Sequence, residues 1–348
     1  MRRNCSSTPN LALNRQGGGH SGRVHRLLSS SQHHKSAGKS GCPRMNRARI
    51  LAQAVMFLTL AAVLSPQTLE FRDDLGHRIS LASCPQRIVS LAPNLTEILF
   101  ALGLEREIIG VTRYCDYPEE ARNREIVGGL VDLNLEKIRS LKPDLVLGFR
   151  GNPRRLIDRL WHQPIPVYVF DSGRTFDDLF VLIARIGQLT CRQERATDLI
   201  TNLKQQIMEI EKNLPPAGFR KKVFLTMSGQ GSGLWTCGRD SYLSYLLEKA
   251  RAENIAAGEK GNWLVYSREK LIKDNPELIL ILCRSKEDFD RARTWFTAQP
   301  ALQKIWAVRG ERFFFLDENL FSRFAPRLVE AYRRLVATLY PDPKAGRQ

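Results

Sequence analysis

Two stretches of this chain spell the same supersecondary unit. Glu136-Lys-Ile-Arg-Ser-Leu-Lys-Pro-Asp-Leu-Val-Leu aligns without gaps on Glu269-Lys-Leu-Ile-Lys-Asp-Asn-Pro-Glu-Leu-Ile-Leu. In each, a Glu opens a helix, and a Pro seven residues later stops it, before an acidic residue and an apolar strand. Helix–Pro–strand joints are common in α/β proteins. The shared Glu-Lys start in the same register makes duplication the stronger reading. Around both copies, short apolar strands alternate with helices: Arg87–Leu91, Ile108–Val111, Asp144–Phe149 and Val167–Phe170 in the first half, and Lys222–Thr226, Glu277–Leu282 and Arg312–Leu316 in the second. That order predicts mostly parallel sheets with helices on both faces. Ahead of the first series, Phe71–Ile79 reads as two short strands around an Asp-Leu-Gly turn. Asn94, with Glu97 three residues on, fits a capping box for a helix over Leu95–Leu102.

Between the two series the pattern changes. Phe176–Leu189 is helical, and Gln193–Leu214 is a long helix with Leu199, Leu203, Ile207 and Ile210 on one face, stopped by Pro215-Pro216. The expected architecture is α/β: two Rossmann-like lobes with parallel-rich sheets, joined by one long α-helix, with a ligand cleft between them. The lobes take residues 69–190 and 215–342, the connecting helix 191–214, and 343–348 form a tail. A single rigid connector predicts little lobe movement on binding.

Charge does not make this a nucleic-acid binder. The chain carries 53 Lys+Arg against 36 Asp+Glu, a formal +17. Residues 1–50 hold ten of those basic residues and no acidic one, which leaves +7 for the rest. Residues 1–44 are rich in Ser, Gly, Arg and His without apolar periodicity, and read as a disordered or upstream extension. Met45 then opens a short basic stretch followed by the apolar run Ile50–Leu64, the length of a signal-peptide core and short for a membrane-spanning helix. Residues 45–66 are read as a signal peptide or an N-terminal anchor, with Met1 and Met45 both open as starts. No Cys closes the run, so a lipid anchor is not supported. The folded part is expected to be exported. Beyond the leader there are five Cys, Cys84, Cys115, Cys191, Cys237 and Cys283, with no CxxC. One disulfide fits an oxidising compartment, and its partners stay open.

Several stretches together resemble the class III periplasmic substrate-binding proteins of ABC importers, which carry cobalamin, ferric siderophores or haem. These are Arg87-Ile-Val-Ser-Leu-Ala-Pro-Asn-Leu-Thr-Glu-Ile-Leu-Phe-Ala-Leu-Gly103, Gly110-Val-Thr-Arg-Tyr-Cys-Asp-Tyr-Pro118, Asn134-Leu-Glu-Lys-Ile, Lys142-Pro-Asp-Leu-Val, Glu253-Asn-Ile, and Trp263 with Ser267-Arg-Glu269. The likeness covers about residues 69–341 and is greatest to the vitamin B12 binders, for which the Tyr-x-Asp-Tyr-Pro stretch speaks. Leu130 stands where such binders often have Trp, and Asn319 where an acid is sometimes found.

The resemblance implies a corrinoid held between the lobes by Tyr114 and Phe149 from the first and by Trp235, Trp263 and Phe321 from the second, with Arg323 nearby. Rigid aromatics suit a large apolar disc, each burying about 150–250 Å² at low entropy cost. Phe149 ends a buried strand, so core packing competes for it. Trp235 follows the glycine-rich Gly229–Gly233 and Trp263 follows Gly261-Asn262, so both are expected on loops. Glu136 and Glu269 are implied as docking residues for an ABC permease dimer, against a competing role in helix capping. The implied protein is a monomer without a catalytic cofactor or metal, and meets the membrane only through its transporter or an uncleaved leader. A ferric siderophore or haem is the alternative cargo. An exported α/β enzyme using the glycine-rich stretch as a nucleotide loop is the rival class. It lacks G-x-G-x-x-G spacing, and no Walker, HExxH or G-x-S-x-G motif occurs. Cys115 beside Asp116 is read as a spectator thiol at the cleft rim.

Overall fold

The computed structural model describes residues 69–341, apart from 217, 219 and 228–232. The extension 1–44, the leader 45–66, the tail 343–348 and most of the glycine-rich Gly229–Gly233 lie outside the described residues.

The described residues open with the expected antiparallel hairpin, β1 (Leu69–Arg72) with β2 (Arg78–Leu81). The first sheet contains β3 (Ile88–Ser90), β4 (Ile108–Val111), β5 (Glu125–Ile126), β6 (Leu145–Phe149) and β7 (Val167–Phe170), in the order β5-β4-β3-β6-β7, with every pair parallel. β3 and β7 are buried along their whole length, as continuous apolar runs covered by helices on both faces must be. The second sheet contains β8 (Lys221–Met227), β9 (Leu234–Cys237), β10 (Ala252–Asn254), β11 (Trp263–Tyr266), β12 (Leu278–Cys283) and β13 (Phe313–Asp317). Here β10-β8-β12-β13 are parallel and repeat the arrangement β4-β3-β6-β7. β9 and β11 are added antiparallel beside β8. Trp235 and Trp263 therefore sit on paired strands and not on loops. The glycines before each had masked two short strands of β-favouring residues.

The repeat seen in the sequence is a repeat in space. Asp144 accepts the N–H of Gln86 (2.8 Å) and of Arg87 (2.9 Å) at the entry of β3, and Glu277 accepts the N–H of Lys222 (3.0 Å) at the start of β8. The acid after each proline thus secures the strand next to it. The first lobe closes with the helix Phe176–Leu189, and the connecting helix is Gln193–Glu211, which ends three residues earlier than its apolar pattern suggests. Thr175 and Asp178 cap the first of these reciprocally. A disulfide joins Cys84, ahead of β3, to Cys191, at the junction of the two helices. Cys115, Cys237 and Cys283 are buried. One core cluster runs through both lobes, and within it Phe176 meets Tyr245 (centroids 5.6 Å apart) and Tyr332 (5.4 Å) edge-on.

Candidate ligand site between the lobes

In parallel α/β sheets, ligands gather outside the carboxyl ends of the strands. Most of the candidate residues stand there. Tyr114 lies in the loop after β4 and is 43% exposed. Phe149 is the last residue of β6, half-buried, with its N–H held by Asn152 Oδ1 at 2.9 Å. Arg284 follows β12 and donates twice to Glu318 Oε1 (3.2 and 3.1 Å). That carboxylate raises the guanidinium further above its ordinary pKa, and Tyr114 from the opposite lobe adds to the effect. On the added hairpin, Trp235 is 38% exposed and stands opposite Val265, itself exposed. Trp263, half-buried, is paired with Cys237. Phe321 differs: it is 1% exposed, enclosed in the core cluster, with its carbonyl accepting the Tyr242 hydroxyl at 2.9 Å. It offers no surface to a ligand in this arrangement. The short helix Glu318–Phe321 turns its apolar side inward, and the aromatic character that marked the position serves packing.

Arg323 is 8% exposed and crosses to the first lobe. Its Nη2 donates to Asp116 Oδ1 (2.8 Å) and to Asn319 Oδ1 (3.3 Å). Its Nη1 is 3.9 Å from Glu97 Oε1 and has no hydrogen-bond acceptor of its own. Beside it, Arg327 donates Nη2 to Glu97 Oε1 (2.6 Å) and Nε to Glu97 Oε2 (3.0 Å), a two-pronged pair across the lobes. The Arg327 guanidinium lies 3.6 Å from the centre of the Tyr117 ring. A cavity of about 500 Å³ opens alongside, lined by Glu97, Phe100, Tyr117, Pro118, Pro326 and Arg327 among others.

Glu97 corrects the sequence reading. The helix runs Pro93–Ala101, its N-cap is Ala92, and no side chain caps it. Asn94 is already inside the helix, and Glu97 is 2% exposed and committed to Arg327. Its burial raises the carboxyl pKa above the ordinary 4.5, while Arg327 and Arg323 pull it back down. Cys115 is equally enclosed: Thr96 Oγ1 (3.1 Å) and Thr112 Oγ1 (3.2 Å) contact its sulfur, and burial pushes the thiol pKa up. A raised pKa keeps the thiol protonated and unreactive.

Glu136 and Glu269 occupy matching places. Each is the second residue of a short helix, Leu135–Ser140 and Arg268–Asp274, and each is exposed. The caps are Asn134, accepting from Lys137 N (2.9 Å), and Ser267, accepting from Lys270 N (3.1 Å). The lysine after each Glu is tied down as well, Lys137 to Glu125 at 2.6 Å and Lys270 to Glu259. Capping thus falls to Asn134 and Ser267, and the two glutamates stay free of ion pairs among the described residues.

Two α/β lobes bridged by part-buried ion pairs and flanked by exposed aromatics define a two-lobed binding protein. The sequence profile of the periplasmic binding protein family matches residues 88–320, and the chain belongs to that family. A vitamin B12-binding protein of Pectobacterium atrosepticum is 32% identical over 260 residues, covering 73% of this chain and 88% of that protein. The uncharacterized ABC transporter substrate-binding lipoprotein YvrC of Bacillus subtilis is 30% identical over 276 residues, covering 78% and 85%. The periplasmic haem-binding protein HutB of Vibrio cholerae superposes with a TM-score of 0.66 at 26% identity, covering 74% of this chain and 99% of that one.

Proposed function

We propose that the protein captures a corrinoid between its lobes and delivers it to an ABC permease on the outer side of the inner membrane. The observation that carries the reading is the set of aromatic side chains, Tyr114, Phe149, Trp235 and Trp263, at the strand ends of one lobe and on the added hairpin of the other. A corrin is a broad, mostly apolar disc edged with amides. Aromatic faces cover it, and a few polar groups such as Arg284 fix its orientation. The 32% identical vitamin B12-binding relative supports the same cargo. Export follows from the leader reading of residues 45–66, and no helix among the described residues is long and apolar enough to cross a membrane. The protein acts as a monomer without a catalytic cofactor, and Glu136 and Glu269 dock it to the permease dimer.

Haem is the second reading. An exposed tyrosine can serve as an axial iron ligand, and Tyr114 is so placed. Titration with hydroxocobalamin and with hemin, followed by gel filtration and visible spectra, separates the two. A corrinoid-coloured peak that Tyr114→Phe retains supports the first reading. A hemin spectrum that Tyr114→Phe abolishes, with no corrinoid bound, supports the second and overturns the first.

A further inference from the structure

We propose that Glu97–Arg327 and Asp116–Arg323 together form an interlobe latch that sets the spacing of the two lobes and so positions the ligand-facing side chains; this rests on the reading that the ligand lies between the lobes. The lobes touch in two chemically different ways. In the apolar one, Phe176 packs against Tyr245 and Tyr332 within a shared core. Apolar contact has no preferred direction, so it specifies the relative orientation of the lobes only weakly. In the polar one, Arg327 precedes the helix Leu328–Leu339 and stands five residues before Tyr332. At 1.5 Å per residue that is about 7–8 Å along this helix from the apolar contact. The two-pronged Arg327–Glu97 pair fixes both distance and plane. Asn319 ties the two arginines together, its side chain accepting from Arg323 and its carbonyl from Arg327 (3.4 Å). A directional ion-pair contact beside the apolar one fixes the orientation that the core alone leaves weakly specified.

The latch also reaches the candidate site. Asp116 and Tyr117 belong to the loop that carries Tyr114, so Arg323 and Arg327 hold that loop from the opposite lobe. Glu97 is shut away from water. Separating the pair therefore strands a buried charge, and the latch resists opening more than an exposed pair would.

The test uses the full chain with spin labels on non-natural residues at the exposed positions 139 and 273, one on each lobe. Arg327→Met alone should broaden the inter-label distance distribution without ligand, and should lower the melting temperature. Glu97→Gln with Arg327→Met removes both charges. It should recover most of the melting temperature yet keep the broad distribution, and should bind hydroxocobalamin about tenfold more weakly, as expected if the competent spacing is populated a tenth of the time. Tyr117→Ala, which leaves the ion pair intact, should fall between. A double variant whose distance distribution superimposes on that of the wild type would overturn the latch, leaving the pair as mutual neutralisation of buried charge. Should wild-type protein fail to bind hydroxocobalamin, the corrinoid reading falls, and the label distances still decide the latch.

Discussion

Lys142 and Asn275 share one backbone conformation in opposite lobes: each ends a short helix in the left-handed region, at φ 49° and 46°, one residue before a proline. The conformation costs a lysine roughly 1–2 kcal/mol and an asparagine less. Their side chains differ in use. Asn275 Oδ1 accepts the Trp306 N–H at 2.8 Å. Glycine at the two positions should therefore act with opposite sign. Lys142→Gly should stabilise by about 0.5–1 kcal/mol, the strain relieved less the entropy cost of glycine. Asn275→Gly should destabilise by about 1 kcal/mol through the lost hydrogen bond. Urea unfolding of both variants checks this, and changes of the same sign would contradict it.

Trp235 and Phe321 came from one sequence argument but stand in opposite surroundings. Trp235→Ala should weaken ligand binding by about 1–4 kcal/mol, as truncating an aromatic anchor does, with a small effect on stability. Phe321→Ala should cost about 3–5 kcal/mol of folding stability through the cavity it leaves. Calorimetry and thermal melts on each variant separate the two, and unchanged affinity in Trp235→Ala and Trp263→Ala would sink the proposed site.

The alternation of strands and helices was legible because each piece is local. An apolar run of four or five residues, a proline stop and a 3.6-residue period each announce themselves within a short window. The repeat was legible because Pro143 and Pro276 mark the same joint. The interlobe network was not. Glu97 and Arg327 are 230 positions apart, and each has a plausible local role, a first-turn glutamate and an arginine at a helix start. Only the folded arrangement shows that both are spent on each other. The motif Tyr114-Cys-Asp-Tyr-Pro118 did contain the signal, since Asp116 and Tyr117 turn out to meet Arg323 and Arg327. Phe321 failed for the converse reason: an aromatic beside polar residues looks the same in sequence whether it packs inward or faces a ligand.

The Cys84–Cys191 bridge closes a separation of 107 residues. A loop of that size restricts the unfolded chain strongly, and Cys84→Ser with Cys191→Ser should lose about 2–5 kcal/mol. Peptide mapping of unreduced protein should recover these two cysteines as one linked fragment. Recovery of either cysteine linked to Cys115, Cys237 or Cys283 would contradict the pairing.

Glu97 gives a defined pH signature. Burial raises its folded pKa above the ordinary 4.5, so the folded protein takes up this proton at a higher pH than the unfolded chain does. Its ionisation therefore subtracts stability above the folded pKa, and that penalty shrinks as pH falls and is gone below 4.5. Arg327, Arg323 and Asp116 face the carboxyl and set the size of the shift. Relative to Glu97→Gln, wild-type protein should gain stability on acidification through that window. Carboxylates held low elsewhere, such as Glu330 beside Arg333 and Arg334, cancel in the comparison. A wild-type advantage that shrinks on acidification would show that the arginines outweigh the burial.

Glu136 and Glu269 are exposed at the second position of matching helices, and capping there is already supplied by Asn134 and Ser267. A first-turn carboxylate still gains from the helix dipole, at most a few tenths of a kcal/mol to about 1 kcal/mol at an exposed site. Glu136→Ala with Glu269→Ala should therefore leave the fold and ligand affinity almost unchanged. If the two carboxylates meet arginines of a two-fold permease, the same variant should abolish uptake in a reconstituted transporter, each single variant should retain part of it, and reversal to Arg should be worse than Ala because it sets like charges face to face. Calorimetry with the purified protein and transport into proteoliposomes read the two properties separately. Normal uptake by the double variant would reduce both residues to helix-end electrostatics. A fall in ligand affinity would instead mean that the helices they open help to shape the site itself.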